Sequence, residues 1–184
     1  LNKYTEVVNV DSGVDYRLRT LEQAELYHYP LNNEAEKALE ANFNSLIADK
    51  ARIRRDTSVE VLGRKIPVKA RGTSIAWFEF DALCDGPRSQ NDYIELGKQF
   101  RDIIISNVPV MGNKNDDLAR RFINLIDEFY DRGVKVIMSA EAPIPEIYAG
   151  GRLEFEFQRT TSRMLEMQSR DYLMREHKRD EVEV

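Results

Sequence analysis

Residues 103–138 read IIISNVPVMGNKNDDLARRFINLIDEFYDRGVKVIM, and this stretch decides the fold class. The apolar run from Ile103 to Val108 predicts a buried strand, and the run from Val134 to Met138 predicts a second one. Between them, residues 115–132 carry apolar side chains at helical spacing, and Gly133 follows where a helix can end. This strand–helix–strand order predicts a βαβ unit in a largely parallel sheet.

Upstream of this unit the period of the sequence changes from helical to twofold. Apolar and polar residues alternate over residues 59–70, and Gly63 and Gly72 supply turns. A third apolar run, Ser74 to Phe80, follows the second turn. The pattern predicts a three-stranded antiparallel β meander beside the βαβ unit, and therefore an α/β protein with flanking helices.

The remaining elements are predicted from capping and turn residues. They are a strand at residues 5–10, extended chain at 14–19 and 26–31, a helix opened by Asn33 with Glu36, a helix from a Ser89–Asp92 capping box to Phe100, and a long helix from Arg159 to His177.

Composition excludes several classes of protein. The chain has 184 residues, 42% of them hydrophobic, and a net charge of −5, which disfavours nonspecific nucleic-acid binding. Cys84 is the only cysteine, so no intrachain disulfide can form, and this fits a reducing, cytoplasmic compartment. Two distant histidines, His28 and His177, do not suggest a zinc site, and we expect no metal site in the chain. No apolar run approaches the roughly 20 residues of a transmembrane helix.

Two short motifs superficially match nucleotide-binding elements. Gly97–Lys98 has no glycine five residues earlier and falls inside a predicted helix, so it does not read as a phosphate loop. Asp127–Glu128 resembles an acidic pair that holds magnesium, but such a pair must end a buried strand. The preceding residues follow helical period, so we expect this pair on the polar side of a helix without a metal.

A second group of residues, Arg88, Asp92 and Tyr93, clusters at a predicted helix start. One interpretation is a recognition or subunit-contact site. The other is that Ser89 and Asp92 cap the helix while Arg88 pairs with a neighbouring carboxylate.

The segment FEFQRTTSR contains the most unusual pair of charges. Arg159 and Arg163 are four residues apart and share a helical face. Two guanidinium groups near a helix N-terminus form a good site for an anion such as phosphate. The alternative is local ion pairing with Glu156 or Glu166.

Several long stretches, in order along the chain, closely resemble the C-terminal part of the AFG-like P-loop ATPases, whose bacterial branch comprises the ZapE-type cell-division ATPases. The stretches are VNVDSGVDYRLRTL, GPRSQNDYIELGKQF, VPVM, ARRFINLIDEFYDRGVKVIMSAEAPIPEIYAGG and FEFQRTTSRMLEMQSRDYL. The resemblance implies an AAA+-like protein that hydrolyses ATP with Mg²⁺. It also implies association with the division ring of FtsZ, or with a membrane-associated client, at the inner-membrane face.

The same resemblance implies that the family's phosphate loop, acidic pair and nucleotide-sensing asparagine all precede Leu1, so that this chain holds no cofactor-binding residue and is inactive alone. Residues 1–30 would then complete the ATPase core, residues 31–83 form a helix and the meander, and residues 84–184 form a C-terminal α/β unit with a long terminal helix. Residues 119–159 resemble a degenerate copy of the core, with Glu141 in place of the asparagine.

The resemblance leaves two functions open for the chain. In the first, it is the C-terminal half of an oligomeric ATPase, and Arg159 or Arg163 acts in trans on a neighbouring subunit's nucleotide. In the second, it is a non-enzymatic module that binds a client or partner. The two differ in whether the arginines face a phosphate site or are used in local ion pairs.

Overall fold

The α/β class predicted from residues 103–138 is confirmed by the structure, a computed structural model that describes residues 16–179. Six strands form one mixed sheet in the spatial order β1–β6–β5–β4–β3–β2. The strands are β1 (Tyr27–His28), β2 (Arg54–Val61), β3 (Arg64–Arg71), β4 (Ile75–Glu79), β5 (Asp102–Val108) and β6 (Lys135–Ala140). The helices are α1 (residues 16–23), α2 (Asn33–Leu46), α3 (Phe80–Cys84), α4 (Gln90–Gln99), α5 (Asp116–Arg132), α6 (Glu154–Glu166) and α7 (Arg170–Leu173).

Three of the five strand pairings in the sheet are parallel, as the βαβ pattern predicts. β5 pairs in parallel with β4 on one side and β6 on the other, and β1 adds to β6 in the same direction. Ile104 lies between Trp77 and Ile137 in this register. All residues of β6, and all but Asn107 of β5, are buried or nearly so, which is why both strands read as continuous apolar runs.

The predicted meander is also confirmed. β2 pairs antiparallel with β3, and β3 with β4. Val59 lies opposite Ile66, and both are buried, whereas their neighbours along the strands are mostly exposed. Leu62 and Gly63 turn the chain with φ angles of 51° and 78°, the left-handed geometry of a tight hairpin.

Helices cover both faces of the sheet. Trp77 of β4 packs against Phe43 of α2, with ring centroids 5.8 Å apart, and the next residue, Phe78, packs against Phe100 at the end of α4. Successive side chains of a strand point to opposite faces. α2 therefore lies on one face, and α4 lies with α5 and α6 on the other.

Helix α5 follows the predicted pattern closely. Phe122, Ile126 and Phe129 on its apolar stripe are fully buried. Gly133 ends the helix with φ 69°, and its amide bonds back to the carbonyls of the last turn. A side chain at Gly133 would also meet the Glu176 carbonyl oxygen at 2.6 Å, so both backbone conformation and space require glycine there.

Two predictions for the first third of the chain are wrong. Residues 16–23 are helical, not extended, and this helix brings Arg17 onto the buried carboxylate of Asp102. The cap of α2 is Asn32, not Asn33, because the Asn32 side chain accepts the amide of Ala35 at 2.8 Å.

The predicted long terminal helix is also wrong, since two helices occupy this region. α6 begins at Glu154 and ends at Glu166, and Ser169 caps α7 by accepting the amide of Tyr172 at 3.2 Å. The Tyr172 hydroxyl turns inward and donates to the carbonyl of Val134 at 2.6 Å. This buried bond holds α7 against the segment between α5 and β6.

The predicted strand at residues 5–10 lies outside the described residues. Strands from each of the predicted segments 1–30, 31–83 and 84–184 belong to the same sheet. The role of residues 1–30 in completing an ATPase core remains a prediction.

Candidate functional site

Arg159 and Arg163 lie on α6, and both side chains reach a residue of α5. The sequence placed them near a helix start, but α6 begins five residues before Arg159. The field of a helix terminus acts mainly within the first turn. The expectation that the helix N-terminus supports these two arginines is therefore wrong, and their setting comes from α5 instead.

A single carboxylate, Asp127 of α5, bridges the two arginines. Arg159 Nη2 donates to Asp127 Oδ2 at 3.2 Å, and Arg163 Nη1 donates to Asp127 Oδ1. Within residues 16–179, neither Glu156 nor Glu166, the two partners considered from the sequence, pairs with them. The site is a cluster of two positive charges and one negative charge, which we call the arginine cluster.

The two arginines differ in how firmly they are held. The Arg163 side chain is 24% exposed, and its guanidinium lies 4.8 Å from the centre of the Tyr130 ring. The Tyr130 hydroxyl donates to Glu166, and this bond raises the pKa of Tyr130. The Arg159 side chain is 61% exposed, and within residues 16–179 Asp127 is the one group with which it forms an ion pair or a hydrogen bond. Arg163 is thus anchored, while Arg159 can be reached from outside.

The outer side of α6 also carries an exposed aromatic residue. Phe155 is 84% exposed and lies one helical turn before Arg159. Aromatic and arginine side chains are enriched where proteins bind other proteins. This pairing therefore marks the outer side of α6 as a candidate contact surface.

The two motifs that resemble nucleotide-binding elements both lie in helices. Asp127 and Glu128 are on α5, and Glu128 accepts a hydrogen bond from Gln90 Nε2 at 2.5 Å. Gly97 lies inside α4, where a Cβ atom would come within 2.8 Å of Arg132 Cδ. The helical positions predicted for both motifs are confirmed, and Gly97 permits close packing of α4 on α5.

Asp92 and Tyr93 are buried at the start of α4. The predicted capping box is present, since Asp92 accepts the Ser89 amide at 2.7 Å. The arginine that pairs with Asp92 is Arg64, and backbone and side-chain bonds to this carboxylate outweigh its burial and lower its pKa. Arg88 instead donates to the carbonyl of Ala82 at 3.0 Å. Arg88 is the partly exposed member of the predicted contact group, whose role remains a prediction.

The carboxyl end of the parallel strands holds a polar network that the sequence analysis missed. Lys69 Nζ contacts Glu36 and lies 3.1 Å from Glu79 Oε1. Asn107 Nδ2 donates to Glu79 Oε2 at 2.7 Å, and Ser106 Oγ lies 3.4 Å from Glu36 Oε2. Ligands bind at this edge in many open α/β sheets. The sequence feature from which this network could have been predicted is the placement of two polar residues, Glu79 and Asn107, at the ends of apolar strands.

The charged side chains of this network are paired with one another. Burial alone would lower the pKa of Lys69, but the hydrogen bonds to Glu36 and Glu79 outweigh it and raise the pKa. Lys69 also lies 4.7 Å from the centre of the Trp77 ring. The only lysine of the network is therefore already neutralised by two carboxylates. Over residues 16–179, no group of three or more acidic, histidine or cysteine side chains is arranged to hold a metal ion.

A sequence profile of the AFG1-like ATPases matches residues 1–176. The chain belongs to the AFG1-like ATPase family. It is similar to the cell division protein ZapE of Escherichia coli K12, with 44% identity over 96% of this chain and 47% of that protein. It is also similar to lactation elevated protein 1 homolog B of Danio rerio, with 32% identity over 94% of this chain and 41% of that protein.

This AFG1-like chain spans about half the length of the curated relatives it matches. No solved structure matches it. In the part of the chain that the structure describes, no helix is both long and apolar enough to cross a membrane.

The AFG1-like fold places Glu141 directly after β6, at the carboxyl end of the sheet. Its Oε1 accepts the amide of Val110 at 3.3 Å, so it links the loop after β5 to the end of β6. The degenerate-copy hypothesis, in which Glu141 stands at the position of a nucleotide-sensing asparagine, remains a prediction.

Proposed function

We propose that this chain is the C-terminal part of a ZapE-like ATPase that acts in bacterial cell division. Membership of the AFG1-like ATPase family and the similarity to an E. coli cell division protein support this proposal. ATP and Mg²⁺ would be held by a part of the protein outside these 184 residues, which contain no glycine-rich loop followed by Lys and Ser or Thr. The chain alone is then catalytically inactive.

In the complete protein, Arg159 reaches the nucleotide of a neighbouring subunit. Arg163 supports Arg159 by holding Asp127, the carboxylate that the two arginines share. The observation that carries this role is the 61% exposure of Arg159, whose one ion-pair partner in residues 16–179 is Asp127. A guanidinium supplied in trans stabilises the charge of a transferring phosphoryl group. This mechanism requires a homo-oligomer in which the outer side of α6 faces a neighbour.

The proposed partners follow from the same family membership. The client is FtsZ or a membrane-associated protein, and the protein works on the cytoplasmic side of the division site. Arg88, close to the buried Asp92 and Tyr93, is a further proposed contact residue because it is partly exposed.

Arginine-to-lysine substitutions test the role in trans. In the complete protein, Arg159→Lys and Arg163→Lys should leave ATP binding nearly intact and lower turnover at least about tenfold. Lysine keeps the charge but lacks the planar fork that fits phosphate. Arg120→Lys, at an exposed arginine of α5, is the matched control and should turn over normally. Steady-state ATP hydrolysis with separate ATP-binding measurements gives the result.

Normal turnover by both variants would contradict the role in trans. It would favour the second function, a non-enzymatic module that binds a client or partner. The exposure of Phe155 is the observation that supports this alternative.

A further inference from the structure

We propose that the arginine cluster is a phosphoryl-binding site in which Asp127 holds the place of the ligand. An incoming phosphoryl group takes the place of Asp127 on Arg159, while Asp127 remains bound to Arg163. This inference rests on the proposed function, in which Arg159 approaches a nucleotide. The ligand class is the polyphosphate end of a nucleoside triphosphate held by another subunit.

The charge of the cluster favours an additional anion. Two guanidinium groups share one carboxylate, and each takes one of its two oxygens. An arginine has five N–H donors, and Arg159 uses only one of them for Asp127. Carboxylate and phosphate oxygens accept from the guanidinium fork in the same planar geometry. A phosphoryl group can therefore take the place that Asp127 occupies on Arg159.

Arg163 is held by more contacts than Arg159, and this difference decides which arginine releases Asp127 to bind the phosphoryl group. Arg163 has two contacts, the Asp127 carboxylate and the Tyr130 ring. Among the described residues, Arg159 forms one ion pair, at 3.2 Å, through a largely exposed side chain. An exposed ion pair of this kind contributes little to stability. Arg159 can thus leave Asp127 at low cost, while Arg163 keeps the carboxylate in position.

The exchange requires no movement of the helices. α6 is fixed to α5 below the cluster by Phe157, whose ring stacks on Phe122 with centroids 6.1 Å apart. The buried Thr160 and Met164 lie on the same inner side of α6. Rotation of the Arg159 side chain is therefore sufficient, and Asp127 positions Arg163 without contacting the ligand.

Tripolyphosphate is the probe for this site. We would titrate the 184-residue chain with tripolyphosphate up to millimolar concentrations, because an exposed arginine pair alone should bind it far more weakly than micromolar. The dissociation constant is measured for wild type, Asp127→Asn and Asp131→Asn. Asp127→Asn removes the competing anion and should tighten binding roughly threefold, the range that an exposed ion pair permits. Asp131 is exposed one helical turn away and has no ion pair within the described residues, so Asp131→Asn controls for the change in net charge. Arg159→Ala should abolish the gain in the Asp127→Asn background.

The exchange is wrong if Asp127→Asn and Asp131→Asn change the dissociation constant for tripolyphosphate equally. It is also wrong if Arg159→Ala leaves that constant unchanged, or if neither the wild type nor any variant binds tripolyphosphate. Arg159→Ala changes an exposed side chain and should fold, which its denaturation midpoint will check. If Arg159→Lys lowers turnover but Asp127→Asn does not tighten binding, the proposed function stands and the exchange is wrong. If the binding results are as expected but Arg159→Lys turns over normally, the role in trans is wrong.

Discussion

At the scale of single residues, Lys135 shows how a charge is used inside the fold. It lies at the start of β6, is 1% exposed, and donates to the carbonyls of Gly133 and Arg175, both at 2.7 Å. Burial, followed by the nearby charge of Arg17, lowers the pKa of this lysine to about 8. Lys135 therefore ties the C-terminal segment to the sheet, at an energetic cost while it is protonated.

The pH dependence of stability tests this assignment. Above about pH 8 the folded chain releases the Lys135 proton, while the unfolded chain keeps it up to about pH 10.4. The unfolded state then binds more protons, so stability rises with pH in this window. Relative to Lys135→Met, wild type should gain about 2 kcal/mol of unfolding free energy between about pH 7.5 and 9.5.

Denaturant unfolding at several pH values measures this difference. Lys65→Met, at an exposed lysine of β3, is the matched control, and its difference from wild type should stay constant. A pH-independent difference for Lys135→Met would show that Lys135 does not titrate in this range.

At the scale of elements, α5 connects the core to the arginine cluster. Its inner side buries Phe122, which packs on Phe80 and Phe157 with centroids 5.9 and 6.1 Å away. Its polar side presents Asp127 to α6. The same helical period therefore sets both the stability of the α5–α6 pair and the position of the two arginines.

Paired substitutions on α5 test this division. Phe122→Ala should lower the unfolding free energy by roughly 3–5 kcal/mol, because it removes a large aromatic side chain from a closed core. Asn124→Ala, on another side of the helix and only partly buried, should change it little. Chemical denaturation of both variants gives the comparison, and equal losses would show that the assignment of the buried side is incorrect.

At the scale of the whole molecule, the charged side chains at the carboxyl end of the sheet form ion pairs and hydrogen bonds with one another. Lys69 is held between Glu36 and Glu79, and the amide of Asn107 is taken by Glu79. A phosphate site needs free backbone amides and a free lysine. Among the residues that form this network, the one lysine is already paired with two carboxylates.

The 184-residue chain should therefore not bind ATP with useful affinity. The reason is that the phosphate loop, whose amides and lysine supply most phosphate recognition, is not part of the sequence. Titration calorimetry with Mg-ATP measures this directly, and the complete protein serves as the positive control. A dissociation constant in the micromolar range for the chain alone would contradict the expectation.

Several features could be predicted from the sequence because they depend on neighbouring residues. The strand–helix–strand order of residues 103–138, the meander around Gly63 and the capping box at Ser89 all follow from local period and turn chemistry. Family membership followed from long motifs in order. Local signals fail where a cap shifts by one residue, as at Asn32, or where a helix is interrupted, as before the Ser169 cap of α7.

The sequence by itself determined the α/β class, the strand–helix–strand order of residues 103–138 and the shared helical side of Arg159 and Arg163. Only the tertiary structure decided that Asp127, 32 and 36 residues away along the chain, is their shared partner. It likewise decided that Lys69 meets two carboxylates from different elements. The physical reason is that hydrophobic period specifies which side of an element is buried, whereas the partner of a polar group depends on how separate elements pack against each other.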